Sequence, residues 1–157
     1  GYIITGYKEL VDDMVISTGI YTRAVNSLSN DDVRVSRRLY VPSSRLRGFE
    51  SGKVGPKDGD DHVGGNYVVT FNTSSTIPYV LQTQENMDLK LFFDAGNVWG
   101  VDYSSSLDDS NTIRSSTGLA LEITTPIGPL SFSFAQVLNK ASTDKTESFK
   151  FQLGTTF

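Results

Sequence analysis

The sequence predicts an all-β protein: an antiparallel transmembrane β-barrel wall that carries one long polar loop. Three observations carry the prediction. Apolar residues recur at every second position in segment after segment, the period of a strand with one apolar face. The alternate positions are small or polar (Ser, Gly, Thr, Gln) more often than charged. That suits a wet lumen better than the solvated face of a soluble β-sandwich. Finally, the connections alternate in kind. A shorter set lies near 9–13, 78–86 and 125–129, and a mostly longer, strongly polar set near 25–65, 100–111 and 139–147. Short turns at one end and long loops at the other is the layout of a membrane barrel.

Taken in order, residues 2 to 8 read as a strand end and Glu9 to Asp13 as a polar turn. From Met14 the period is two, with Met14, Ile16, Thr18 and Ile20 on one face and Val15, Ser17, Gly19, Tyr21 and Arg23 on the other. After the long loop, Tyr67, Val69 and Phe71 oppose Val68, Thr70, Asn72 and Ser74 up to Ile77-Pro78. Leu89, Leu91, Phe93 and Ala95 then alternate with Lys90, Phe92, Asp94 and Gly96, on to Trp99. Thr117, Leu119, Leu121 and Ile123 face away from Ser116, Gly118, Ala120 and Glu122. The turn-rich Thr125-Pro126-Ile127-Gly128-Pro129 leads into Leu130, Phe132 and Phe134 opposite Ser131, Ser133 and Ala135. The last strand places Phe149, Phe151, Leu153 and Phe157 on one face, toward lipid, and Lys150, Gln152, Gly154 and Thr156 toward the lumen. Aromatics near strand ends, Trp99 and Tyr103 at one end and Tyr79 and Phe157 at the other, fit an interfacial girdle.

Bulk properties narrow the function. The 157 residues could form one ordinary domain, yet the chain opens Gly1-Tyr2-Ile3-Ile4, which reads as a cut inside a strand of something larger. The net charge of −4 argues against nucleic acid as a partner. With no cysteine and a single histidine, His62, neither a disulfide framework nor a metal centre is expected, and no cofactor is implied. No apolar run approaches the ~20 residues of a membrane-crossing helix, and a mean hydropathy of −0.22 does not discriminate, because barrels hide their signal in alternation.

The loop from 25 to 65 is longer than a hairpin needs, and long ordered loops are usually functional. Half of the 14 basic residues fall within it: Arg34, Arg37, Arg38, Arg45, Arg47, Lys53 and Lys57. Within Leu46-Arg47-Gly48-Phe49, Gly48 tolerates a tight turn that aims the Arg47 guanidinium while Phe49 anchors the tip. The plain alternative is a solvated loop with incidental arginines. His62 with Asp60, Asp61 and Ser51 lacks the nucleophile-elbow context of a hydrolase. Asp58, Asp60 and Asp61 lack the later glutamate of a calcium loop, and Asn72-Thr73-Ser74 is a chance glycosylation pattern inside a strand.

Several marks occur together in order: Leu46-Arg47-Gly48-Phe49, Gly55-Pro56-Lys57, Val63-Gly64-Gly65-Asn66, Phe92-Phe93-Asp94-Ala95-Gly96-Asn97-Val98-Trp99, Pro126-Ile127-Gly128-Pro129-Leu130, and the Phe149-to-Phe157 strand. From about Arg34 to Phe157, and more loosely before, the chain resembles the BamA-type outer-membrane β-barrel assembly factors. The resemblance implies a 16-stranded barrel of the bacterial outer membrane. Residues 1–157 would be the C-terminal segment with about the last seven strands, and upstream strands and periplasmic POTRA domains would lie outside it. It implies that the long loop enters the lumen and that Arg47, Gly48 and Phe49 lock it against Asp94 and Gly96 of an aspartate-glycine motif. It further implies that the terminal strand, with Phe149, Phe151, Leu153, Gly154 and a chain-ending Phe157, forms one side of a seam. One departure stands out: near position 74, where an acidic residue is expected, the chain has Thr73-Ser74-Ser75.

The function implied is insertion of other barrels without covalent chemistry, hence no enzyme. Partners would be nascent outer-membrane proteins, accessory assembly lipoproteins and the lipid bilayer. The alternatives are a related transporter secreting one dedicated protein, and a barrel that anchors a surface enzyme.

Overall fold

A computed structural model describes residues 1–11, 14–28, 31–78, 80, 86–107 and 111–154. Its main sheet is an antiparallel meander of seven strands: β1 (Tyr2–Val11), β2 (Met14–Ala24), β5 (Tyr67–Thr76), β6 (Met87–Trp99), β7 (Arg114–Thr125), β8 (Gly128–Asn139) and β9 (Phe149–Leu153). Two short strands, β3 (Lys57–Asp58) and β4 (Asp61–His62), pair as a small hairpin inside the long loop. The main sheet is open, with β1 and β9 at its edges.

Alternation decides which side of each strand is buried. Val69, Phe71, Leu91, Leu119, Phe134, Phe149, Phe151 and Leu153 stand exposed on the outer face, which an apolar bilayer would cover. Cross-strand aromatic pairs, Phe132–Phe151 and Phe134–Phe149, tile that face with ring centroids 5.2 and 5.0 Å apart. The inner positions Val68, Thr70, Phe92, Asp94, Ser116, Ala120 and Ser133 are buried. What buries them is the loop. Leu39, Val41, Leu46, Phe49 and Val54 pack on Val68 and Val98 of the wall, so the apolar core lies between loop and sheet.

Several boundaries differ from the sequence reading. The turn expected at 9–13 shrinks, because β1 continues to Val11 with a register irregularity between Glu9 and Val11. Every residue of β1 is exposed at the sheet edge, so polar Lys8 and Glu9 sit on a strand without penalty. β8 runs on to Asn139, past the expected Ala135, with its own register shift at Ser115/Ser116 of β7. Tyr103 leaves the expected girdle. Its hydroxyl donates to Asp58 at 2.9 Å and its ring lies under the Arg38 guanidinium, which ties it to the loop. The ring partnering Trp99 is instead Tyr67, stacked at 5.8 Å. Tyr79, Thr156 and Phe157 lie outside the described residues.

Candidate functional site

The site is the junction between the loop tip and the wall. Gly48 adopts φ 91°, a left-handed backbone that a side chain resists. A Cβ there would stand 3.0 Å from the Ala135 Cβ and 3.3 Å from Ser116 and Val137 side-chain carbons. Only glycine lets the loop backbone lie this close to β7 and β8. On the wall, Gly118 of β7 has the same logic, since a Cβ would fall 1.9 Å from the Phe134 carbonyl oxygen.

With the tip seated, Arg47 meets Asp94 of β6 as a fork. Nε donates to Oδ2 and Nη2 to Oδ1, both at 2.7 Å, and the Arg47 backbone N–H adds a bond to Oδ2 at 3.1 Å. The guanidinium also sits 3.6 Å from the Phe92 ring centroid. The Asp94 side chain is fully buried and that of Arg47 is 11% exposed, so the pair is drier than a wet lumen suggested. The Ser116 hydroxyl donates to the Arg47 carbonyl oxygen. Phe49 is buried, and its carbonyl accepts from Lys150 Nζ of β9 at 3.2 Å.

Asn72, not an acid near 74, supplies the second polar contact. Its amide donates to Asp94 Oδ1 at 2.8 Å and to the Arg45 carbonyl at 2.6 Å. Asp94 gains a donor where Arg47 was expected to gain an acceptor. Ser74 instead pairs with Ser17 on β2 at 2.7 Å. Gly96 lies on the inner face of β6 against Thr70, where a Cβ would fall 3.1 Å from its methyl carbon. The terminal-strand residues stand apart from this junction. Phe149, Phe151 and Leu153 point outward on the β9 edge, and Gly154, with φ 92°, donates its N–H to the Pro129 carbonyl. Lys150 is the direct link between the two groups of residues.

Among the ion pairs of the described residues that the sequence did not announce, two are made by arginines. Arg114 donates to Asp144 through Nε at 2.9 Å and Nη2 at 3.2 Å, and to Asn97 Oδ1 through Nη1 at 2.6 Å. Arg38 pairs with Asp102, which also accepts from the Val33 N–H and the Asn66 amide. Burial pushes the Asp102 carboxyl up, but Val33, Asn66 and Arg38 together hold it below its ordinary value. Nothing in the sequence names the partner of either arginine. His62 sits buried on β4, bonded through Nε2 to the Thr143 carbonyl at 3.1 Å, and Asp60 and Asp61 are exposed. That bond ties the β3–β4 hairpin to the segment leading into β9.

Residues 2–157 match the Omp85 superfamily domain. The chain belongs to that superfamily. Among curated Omp85 relatives, it is 28% identical to the outer membrane protein assembly factor BamA of Neorickettsia risticii, covering 97% of this chain and 21% of that protein. It is 32% identical to the BamA of Neisseria meningitidis serogroup B over 71% of this chain and 17% of that protein. The sorting assembly machinery 50 kDa subunit of Saccharomyces cerevisiae is 30% identical over 93% of this chain and 32% of its own length. The crystal structure of BamA from Haemophilus ducreyi lacking POTRA domains 1–3 superposes with a TM-score of 0.86 at 30% identity, covering 95% of this chain and 33% of that one. The chain thus spans about a fifth of the bacterial relatives it matches.

Proposed function

We propose that these residues form the C-terminal segment of an outer-membrane β-barrel assembly factor of a bacterial cell, which folds and inserts other outer-membrane proteins. The observation that carries this is the buried Arg47–Asp94 fork on the wall of an Omp85 domain whose last described strand, β9, is a sheet edge. A nascent strand has unpaired backbone N–H and C=O groups that are costly in lipid. A strand edge can satisfy them by β-augmentation, so the work is templating, with no covalent step and no cofactor. In this reading β9 is one side of the seam, with Phe149, Phe151, Leu153, Gly154 and Phe157 as its residues. Arg47, Gly48, Phe49, Asp94 and Gly96 keep the lumen loop locked. Periplasmic POTRA domains lie upstream, and accessory assembly lipoproteins are partners beside the clients and the bilayer.

The test is insertion of an unfolded client barrel into lipid vesicles by the full-length protein, wild type against Arg47→Ala, alongside the levels of many outer-membrane proteins in cells carrying only the variant. Slower insertion and a broad fall in barrel levels are expected. Loss of a single secreted protein, with barrel levels intact, would instead make it a dedicated transporter.

A further inference from the structure

Arg114 heads the largest fully buried side chains of the described residues, and its partner Asp144 is buried too, with no exposed side-chain surface on either. A buried ion pair is a weak source of net stability, because desolvation offsets most of the attraction. What it does fix is position, since either charge left alone is strongly penalised. Three segments meet here: Arg114 opens β7, Asn97 lies near the end of β6, and Asp144 lies in the chain leading into β9.

That lead-in does not run along the wall. β8 extends to Asn139, yet its register with β9 stops at Phe134↔Phe149, with one further bond from the Ala135 N–H to the Ser148 carbonyl. Residues 144–147 turn inward and pair with the arginine loop instead. Glu147 N–H donates to the Gly48 carbonyl, Glu50 N–H to that of Lys145, and Lys145 N–H to that of Lys53, each at 3.0 Å. Phe49 and Thr146 form the bridge between them. Asp144 Oδ1 also accepts from the Gly55 N–H at 3.1 Å. The loop tip, the lead-in and the first residues of β9 are therefore one hydrogen-bonded body, clamped to the wall at Asp94 on one side and Arg114 on the other.

We infer that Arg114 and Asp144 are positioning residues for β9. They hold 144–147 against 48–53, so that the docked state of the arginine loop sets where the last strand joins the wall. This rests on the reading of β9 as a seam and adds what controls it.

Hydrogen exchange on the full-length protein in lipid bilayers tests the coupling, read on peptides spanning 45–53, 141–148 and 149–154, with 2–11 of β1, which pairs with β2 away from the loop, as internal control. Asp144→Asn and Arg114→Lys should each speed exchange about tenfold in all three peptides and leave the control unchanged. Arg47→Lys should reach 149–154 in the same way, although Arg47 does not touch it. Exchange in 149–154 at the wild-type rate while 141–148 accelerates would overturn the proposal. Should Asp144→Asn fail to assemble, Lys145→Pro carries the same expectation, because it removes the donor to Lys53 and leaves the buried charges alone. Client insertion on the same samples separates the two readings. Faster exchange in β9 with undiminished insertion upholds the coupling and removes the seam role.

Discussion

Replacing Asp94 by Asn changes one atom and leaves the shape of the side chain intact. Its carboxylate accepts from Arg47 Nε, Nη2 and backbone N–H and from the Asn72 amide. An amide in that place presents an NH2 to some of these donors and no charge to the guanidinium. With Asp94 unexposed and Arg47 nearly so, the cost belongs near that of breaking a buried pair, about 3–5 kcal/mol, and above the 0–1 of an exposed one. Arg47→Ala removes the same contact and the packing on Phe92, and should cost at least as much. Arg47→Lys keeps the charge and loses the planar fork, so a smaller loss of about 1.5–3 kcal/mol is expected, the worth of one charge-assisted hydrogen bond. The assay is denaturant unfolding of the reconstituted full-length protein, with Arg47→Ala, Asp94→Asn and the double variant closing a cycle. A coupling energy of up to about 3 kcal/mol is the expected result. Effects that add to within about 0.5 kcal/mol would show that the residues act separately, and the loop lock would need another anchor.

Gly48→Ala should undock the tip, at about 1–3 kcal/mol for a strained left-handed residue and with its Cβ pressed on Ala135; limited proteolysis of the loop reports it, and an uncleaved loop would contradict the close approach. His62 should make the loop acid-labile. Its burial, aided by Lys53 and Lys57 against the Thr143 carbonyl and Asp144, pulls its pKa below the ordinary value. The unfolded chain then takes up a proton near pH 6.5 that the folded one refuses, so the stability this provides is present above that pH and falls as the pH drops through it. Proteolysis of the β3–β4 hairpin between pH 8 and 5 should show the fall, and His62→Gln should flatten it; an unchanged slope would clear His62. Phe157→Ala should lower assembly of the protein itself, and normal membrane levels of that variant would argue against a part for this ring in assembly.

The wall was legible because a period of two needs no knowledge of partners, and inner and outer faces follow from it strand by strand. The loop tip was legible from four residues whose chemistry is unusual in a linker, Leu46 to Phe49. The dryness of the site was not. A lumen position next to polar neighbours reads as wet until Leu46, Phe49 and Val54 are folded back over Val68 and Val98. Arg114 and Asp144 were invisible because a contact 30 positions apart leaves no periodic trace, and each sits in polar text. The β3–β4 hairpin was missed for a simpler reason: strands of two residues are too short to alternate.

The adjacency of β2 and β5 across the long loop has a kinetic side. From β5 to β9 each strand meets its sequence neighbour, whereas β2 finds β5 only after residues 25–66 have been spanned. Loop closure grows slowly with length, about 0.6 kcal/mol per doubling, so this insertion burdens the final stability little. It burdens the search more, because distant pairings are reached later than local ones. Strands β5 to β9 thus pair through connections between sequence neighbours, whereas the β1–β2 hairpin joins them across the longest closure in the sheet. Tyr21 of β2 and Val25 just beyond it then pack against the core that Leu46, Phe49 and Val54 form with Val68 and Val98.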